Sequence, residues 1–162
     1  IQGSLVLLDV DGTLVPHRLA DPQQVSDATK AKVRELLAQQ NAVFLISNNL
    51  GHERNNRLAE LCGVENLRVS FRTRKPSRSA VLRLPIDLKE RERIVIGDKV
   101  IADGLFAERI GARFLQVASK PNTGLAGWLK GFEDRTDDAL ALLHYRYGAK
   151  ALQWYQRYVG RK

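Results

Sequence analysis

Two aspartates separated by one residue follow the first apolar run of the chain. Residues 5–8 are all apolar, and Asp9 and Asp11 come directly after them, followed by Gly12 and Thr13. Because strand residues alternate between faces, two carboxylates at this spacing share one side of a strand. Carboxylates at the end of a buried strand need a cation or another partner to offset their desolvation. The pair therefore predicts a cation site, the alternative being an ordinary strand end with Asp in the turn.

Further polar groups follow the later predicted strands. They are Ser47 and Asn48 after residues 42–46, Lys75 after residues 67–71, and Asp98, with Asp103 five residues on, after residues 93–96. The carboxyl ends of parallel strands form the ligand crevice of an open sheet, so we expect these groups to meet. Taken singly, Ser47 and Asp98 are also typical helix caps, and Lys75 and Asp103 are also typical of solvated surfaces.

The elements that must position these residues alternate between strand and helix. Strands are predicted at 5–8, 42–46, 67–71, 93–96 and 113–117, and helices at 25–40, 52–62, 79–84, 100–110 and 122–131. Ser26 or Asp21 can cap the first helix. This order is typical of an α/β fold with a doubly wound, Rossmann-like parallel sheet of about five strands.

The combined pattern resembles the haloacid dehalogenase (HAD) superfamily of aspartyl-phosphate phosphohydrolases, over about residues 4–121. The matching motifs are Asp9-x-Asp11-Gly12-Thr13, Ser47, Lys75-Pro76 and Gly97-Asp98 followed by Asp103. The resemblance implies a HAD-like fold that hydrolyses phosphomonoesters with Mg²⁺.

The resemblance also implies a role for each residue. Asp9 would be the nucleophile, Asp11 the general acid and base, and Lys75 the group that neutralises developing charge. Ser47, Asn48, Thr13 and Lys75 would bind the substrate phosphoryl group. Asp9, Asp98 and the backbone carbonyl of Asp11 would hold Mg²⁺. Asp103 would orient Lys75 or a metal-bound water.

A cap domain closes the site in HAD enzymes that act on small substrates. The intervals from Asp9 to Ser47 and from Ser47 to Lys75 each hold about one helix and leave no room for a cap. The resemblance therefore implies a capless, open-faced enzyme that accepts bulky substrates such as lipid head groups, nucleic-acid ends or proteins.

A closer similarity is to the YqeG-type phosphatases of HAD subfamily IIIA, which are related to the phosphatidylglycerophosphate phosphatases. It rests on residues 47–49, 75–77, 97–103 and 119–121. It implies dephosphorylation of phosphatidylglycerophosphate. The chain departs from that family at Gly12, where Asn is common, and lacks the segment that precedes its first strand.

Charge and composition favour an anionic partner. The 162 residues contain 26 Lys+Arg and 18 Asp+Glu, a net charge of +8, which fits a phosphate ester, a nucleic acid or an anionic membrane. Nucleic acid is the less favoured partner. One cysteine excludes an internal disulfide. The alternatives to the phospholipid phosphatase are a polynucleotide or sugar phosphatase of the same superfamily, and a catalytically idle HAD-fold binding module.

The C-terminal part of the chain is predicted to be separate from the core. We expect a phosphatase core at 1–131 and an amphipathic helical extension at 132–162 that packs on it, the alternative being a basic helix on an anionic bilayer. We expect a monomer that is cytoplasmic or peripheral at a membrane, on the mitochondrial matrix side if eukaryotic. Because the chain begins at Ile1 and contains no Met, we also expect the natural N-terminus to lie upstream.

Overall fold

The computed structural model describes residues 2–16, 25–49, 51–70, 73–84 and 91–118. The predicted helix at 122–131, the C-terminal extension and the division at residue 131 lie outside the described residues and stay predictions. Five strands are described: β1 (Leu5–Leu8), β2 (Ala42–Leu45), β3 (Glu65–Asn66), β4 (Arg93–Gly97) and β5 (Arg113–Gln116). The α-helices are α1 (Asp27–Ala38), α2 (His52–Cys62) and α3 (Leu105–Ile110).

The five strands form one sheet in the order β3-β2-β1-β4-β5. Every pairing is parallel, and β1 is central: Leu5 pairs with Ala42 of β2 and with Arg93 of β4. The chain therefore moves outward first to one side of β1 and then to the other. The predicted α/β fold with a doubly wound parallel sheet is confirmed.

Side chains of β1 alternate between two apolar clusters, one on each face of the sheet. Leu5 and Leu7 pack in a cluster with Phe106 of α3. Val6 and Leu8 pack in the other cluster, with Val33 of α1 and Leu58 of α2. A strand covered on both faces has no place for a polar side chain, which is why β1 is a continuous apolar run.

The helix ends follow from local sequence. The Ser26 side chain caps α1 by accepting a hydrogen bond from the backbone N–H of Thr29 at 3.2 Å, so Ser26 rather than Asp21 is the cap. Gly63, at φ 69°, ends α2 in the left-handed conformation that glycine adopts without strain.

Three elements differ from their predicted positions. The third strand was predicted at 67–71, but β3 ends at Asn66, and Leu67 and Val69 are buried without being strand residues. Apolar residues at alternate positions indicate that these side chains are buried, and burial does not require pairing with another strand. A 3₁₀ helix covers Arg78–Arg83, close to the helix predicted at 79–84. The helix predicted at 100–110 begins with a π-helical turn, Val100–Gly104, before α3.

Within the described parts of the chain, no helix has both the length and the apolar character needed to cross a membrane.

Candidate active site

The carboxyl ends of the central strands bring the predicted site residues together. Asp9 follows β1 directly and Asp98 follows β4, while Ser47 lies two residues after β2. A cavity of about 300 Å³ opens at this edge of the sheet. It is lined by Asp9, Asp11, Ser47, Asn48, Asn49, Lys75, Lys99, Ala102 and Asp103. A larger groove of about 760 Å³ beside α1 is mainly apolar, and none of the predicted catalytic acids lines it.

The ammonium of Lys75 lies between two carboxylates at the base of this cavity. Its Nζ donates hydrogen bonds to Oδ1 of Asp9 and to Oδ1 of Asp103. The three side chains are 2%, 9% and 1% exposed, so the contacts are shielded from water. Burial lowers the pKa of Lys75, but the carboxylates of Asp103 and Asp9 outweigh burial and raise that pKa above its ordinary value. Lys75 therefore stays protonated.

Asn48 holds the backbone of Lys75 in place. The Asn48 Oδ1 accepts a hydrogen bond from the Lys75 N–H at 2.6 Å, and its Nδ2 donates to the Lys75 carbonyl at 2.9 Å. The peptide bond from Lys75 to Pro76 is cis. Asn48 was predicted to bind substrate. Its side chain instead joins the loop after β2 to the loop that presents Lys75, which leaves its backbone N–H for the predicted role.

The π-helical turn directs Asp103 inward. The Asp103 N–H donates to the carbonyl of Lys99 at 2.9 Å, and Oδ2 of Asp103 accepts from the Lys99 N–H at 3.1 Å. A Cβ on Gly97 would lie 2.3 Å from Oδ2 of Asp103, so only glycine leaves room for this carboxylate. Asp103 was expected to orient either Lys75 or a metal-bound water, and the structure shows the contact with Lys75.

Three buried carboxylates could hold a metal ion. Asp9, Asp98 and Asp103 each offer an oxygen atom, and these atoms lie within 4.8 Å of one another. All-carboxylate sets of this kind suit hard cations such as Mg²⁺. Lys75 donates to one oxygen of Asp9 and to one oxygen of Asp103. The other oxygen of Asp103 accepts from the Lys99 N–H at 3.1 Å, whereas the other oxygen of Asp9 has only a long contact of 3.4 Å with Thr13, so Asp9 and Asp98 are the better ligands. They are two of the three predicted metal residues.

Gly12 allows Asp98 to approach the loop after β1. Its φ is +91°, and a Cβ at Gly12 would lie 2.2 Å from Oδ2 of Asp98. Any other residue at position 12 therefore requires Asp98 to move as well as a strained backbone. Gly12 thus accompanies a close approach of the Asp98 side chain to the loop after β1.

The environment of Asp9 opposes its ionisation in the absence of a metal ion. The pKa of Asp9 is raised from 3.8 to about 7, with burial as the largest cause; Lys75 lowers this pKa, and the carboxylates of Asp103 and Asp98 raise it. The Oγ1 of Thr13 is 3.4 Å from Oδ2 of Asp9, at the long end for a hydrogen bond. A metal ion beside Asp9 would offset the cost of burying its charge.

Asp11 does not belong to the cluster of three carboxylates and contacts a different cation. Arg54 of α2 donates from Nη2 to Oδ1 of Asp11 at 2.8 Å and from Nη1 to Oδ2 at 3.3 Å. The Ser47 Oγ donates to the same Oδ2 at 3.2 Å and accepts from the Asn49 N–H at 3.0 Å. Ser47 was predicted to bind the phosphoryl group, and Asp11 to bind metal through its backbone carbonyl. The contacts of the described residues leave both predictions open.

Sequence analysis did not identify Arg54. It is one of two arginines on the polar helix α2, and nothing in its type separates it from the other, the exposed Arg57. The available signal was helical spacing: Arg54, Leu58 and Cys62 are four residues apart and share one face, and Leu58 and Cys62 are buried. An arginine that continues an apolar stripe at a helix start points toward the sheet edge.

Comparison with known proteins supports the fold but assigns the chain to no family. No family model and no curated protein sequence matches the chain, whereas fourteen chains of solved structures do. One, from the Pnkp1/Rnl/Hen1 RNA repair complex, has a TM-score of 0.51 and 15% identity over 70% of this chain. Another, from a Pnkp1/Rnl/Hen1 complex, has a TM-score of 0.51 and 14% identity over 75% of this chain. This chain covers only 42% and 48% of those two chains.

The contact between Gly12 and Asp98 predicts a selective effect of a methyl group. Gly12→Ala is expected to weaken Mg²⁺ binding, because its Cβ displaces the Asp98 carboxylate. The measurement is the rise in melting temperature on adding Mg²⁺, which reports binding to the folded state. Gly3 is the control, since it also has positive φ (67°) but has nothing within 4 Å of an added Cβ. Gly3→Ala should keep the full Mg²⁺ response, and an equal response in Gly12→Ala would contradict the proposed contact.

The raised pKa of Asp9 predicts how the stability of the metal-free protein depends on pH. The folded carboxyl group titrates near 7 and the unfolded one near 3.8, so the folded state binds more protons between these values. Raising the pH through this window therefore lowers the free energy of unfolding. In EDTA, Asp9→Asn should gain about 2–4 kcal/mol relative to wild type between pH 5 and pH 8, measured by urea denaturation. If the difference in the free energy of unfolding between Asp9→Asn and wild type stays constant with pH, the raised pKa of Asp9 is contradicted.

Proposed function

We propose that this protein is a Mg²⁺-dependent phosphomonoester hydrolase of the HAD type that works through a phosphorylated Asp9. The supporting observation is the buried contact of Lys75 with Asp9 and Asp103, beside Asp98 at the carboxyl edge of the sheet. Phosphoryl transfer requires a nucleophile, positive charge and donors for the phosphoryl oxygens, and all three are supplied here. The resemblance of the sequence motifs to HAD enzymes supports the same reaction.

In the first step, a carboxylate oxygen of Asp9 forms a bond to phosphorus and the bond to the leaving oxygen breaks. Asp11 gives its proton to that oxygen, which departs as an alcohol. In the second step, Asp11 takes a proton from water, the water oxygen bonds to phosphorus, and the bond from phosphorus to Asp9 breaks. Phosphate leaves and both carboxyl groups return to their starting states. Lys75 and the backbone N–H of Asn48 bind the phosphoryl oxygens throughout.

Asp9, Asp98 and the backbone carbonyl of Asp11 would hold Mg²⁺. When bound, the ion offsets the repulsion between the Asp9 carboxylate and the phosphate dianion. The protein itself supplies the rest: Asp103 holds the Lys75 ammonium, and burial excludes water from both.

For the substrate, we propose phosphatidylglycerophosphate. Its support is the similarity to the YqeG-type enzymes, the net charge of +8 and the small cavity. A space of about 300 Å³ accommodates a phosphoryl group and its neighbouring atoms, so a larger substrate must extend outside it. An open site of this kind suits a head group presented at the surface of a membrane or micelle.

A phosphorylated nucleic-acid end is the second candidate substrate. Solved chains with a similar fold belong to an RNA repair complex, and the basic charge of this chain also fits a polynucleotide. The shared chemistry is phosphomonoester hydrolysis, and the two substrates differ only in what surrounds the phosphate.

Hydrolysis of an aryl phosphate separates an enzyme from an idle binding module. The wild type should release phosphate in Mg²⁺ and lose activity in EDTA, and Asp9→Asn should lower kcat by about 10³-fold or more, because it removes the nucleophile. Asp27→Asn is the matched control, since that carboxylate is 99% exposed on α1. Wild-type protein without Mg²⁺-dependent turnover would contradict the proposed function.

The same assay distinguishes the substrates. We expect the kcat/KM for phosphatidylglycerophosphate in mixed micelles to exceed that for a 3′- or 5′-phosphorylated oligonucleotide. A higher value for the oligonucleotide would replace the lipid with a nucleic-acid end, and leave the proposed chemistry unchanged.

A further inference from the structure

The contact between Arg54 and Asp11 lies outside the roles assigned so far. Both side chains are largely buried, at 14% and 11% exposed. Two nitrogen atoms of one guanidinium reach two oxygen atoms of one carboxylate, at 2.8 and 3.3 Å. A paired contact of this type fixes both the distance and the plane of the carboxylate, which a single ammonium does not.

We propose that Arg54 is a positioning residue that holds Asp11 in the orientation required for proton transfer to the leaving group. The inference rests on the proposed function, in which Asp11 exchanges a proton first with the leaving oxygen and then with water. Arg54 does not touch the phosphoryl group in this account. It acts through the placement of Asp11.

The first support is that hydrogen bonds to neighbouring residues hold the Arg54 side chain in place. Its Nη1 also donates to Oδ1 of Asn55 at 3.2 Å, and Nδ2 of Asn55 donates to the carbonyl of Asn49 at 3.0 Å. Asn49 in turn donates its N–H to Ser47, which donates to Asp11. The chain of contacts starts and ends at Asp11, so the start of α2 and the loop after β2 fix one carboxylate jointly.

The second support is the division of four acids between two cations. Asp9 and Asp103 contact Lys75, with Asp98 beside them, whereas Asp11 contacts Arg54. Asp11 and Asp9 both line the same cavity of about 300 Å³. Arg54 therefore keeps Asp11 at the cavity but away from the carboxylates that would bind the cation. The side chain of a general acid has to remain free of the metal ion to exchange protons, and only the backbone carbonyl of Asp11 is assigned to the metal ion.

Two leaving groups test this role. General acid catalysis contributes more when the leaving oxygen is a poor leaving group, so an alkyl phosphate depends on Asp11 more than a nitrophenyl phosphate does. Arg54→Gln should lower kcat/KM, which covers the reaction up to transfer of the phosphoryl group to Asp9, by about 10²-fold for the alkyl phosphate and by less than about fivefold for the nitrophenyl phosphate. The later attack of water on the phosphoryl group is common to both substrates and does not enter this ratio. Arg54→Lys keeps the charge without the paired geometry and should recover only part of the loss.

Arg57→Gln is the matched control, because Arg57 is an exposed arginine on the same helix, and it should behave as wild type on both substrates. Equal losses of kcat/KM on the two substrates would overturn the positioning role. A crystal structure of Arg54→Gln provides a readout independent of turnover: the Asp11 carboxylate should leave its present position, and an unmoved carboxylate would also overturn the inference.

Failure of this inference differs from failure of the proposed function. If the wild type lacks Mg²⁺-dependent turnover, or if Asp9→Asn retains it, the proposed function fails. If both behave as expected and the Arg54 variants lose activity equally on both substrates, only the role of Arg54 fails.

Discussion

The site depends on burying more negative than positive charge around Lys75. Asp9, Asp98 and Asp103 lie within reach of one another, and the Lys75 ammonium contacts two of them. Removing charges from water is costly even when they are paired, and here the acids outnumber the ammonium. The raised pKa of Asp9 is the direct result. The same excess of negative charge is what a divalent cation would offset, so the local instability of the metal-free site and its proposed chemistry have one cause.

The rest of the structure makes this arrangement possible. A parallel sheet covered on both faces places the ends of β1, β2 and β4 at one edge, where their polar groups converge. Glycine provides the space that the acids need: Gly12 lies against Asp98, and Gly97 lies against Asp103. Asn48 joins two loops and thereby fixes the backbone of Lys75, from which the ammonium extends into the site. The packed sheet therefore fixes the distances between the charged groups.

The sequence predicts the sheet well where one apolar run corresponds to one buried strand. β1, β2 and β4 were placed correctly because each contains an apolar run, at residues 5–8, 42–46 and 94–96. The convergence of Asp9, Lys75, Asp98 and Asp103 followed from strand topology. The position of β3 was wrong, since the alternation of Leu67 and Val69 indicates burial in a loop as readily as in a strand. The contact of Arg54 with Asp11 was not predictable from residue types, because it depends on how α2 is rotated against the sheet edge. The domain division at residue 131 stays a prediction.

The central claim is that Asp9 is the group that receives the phosphoryl group from the substrate. Its most direct test is to mix the protein with a nitrophenyl phosphate and Mg²⁺, quench in acid within milliseconds, and locate the added phosphoryl group by peptide mass spectrometry. The account predicts one transient phosphorylated residue, Asp9, which disappears as turnover ends. Active protein with no covalent phosphoryl group at Asp9, or with the group on another residue, would contradict it.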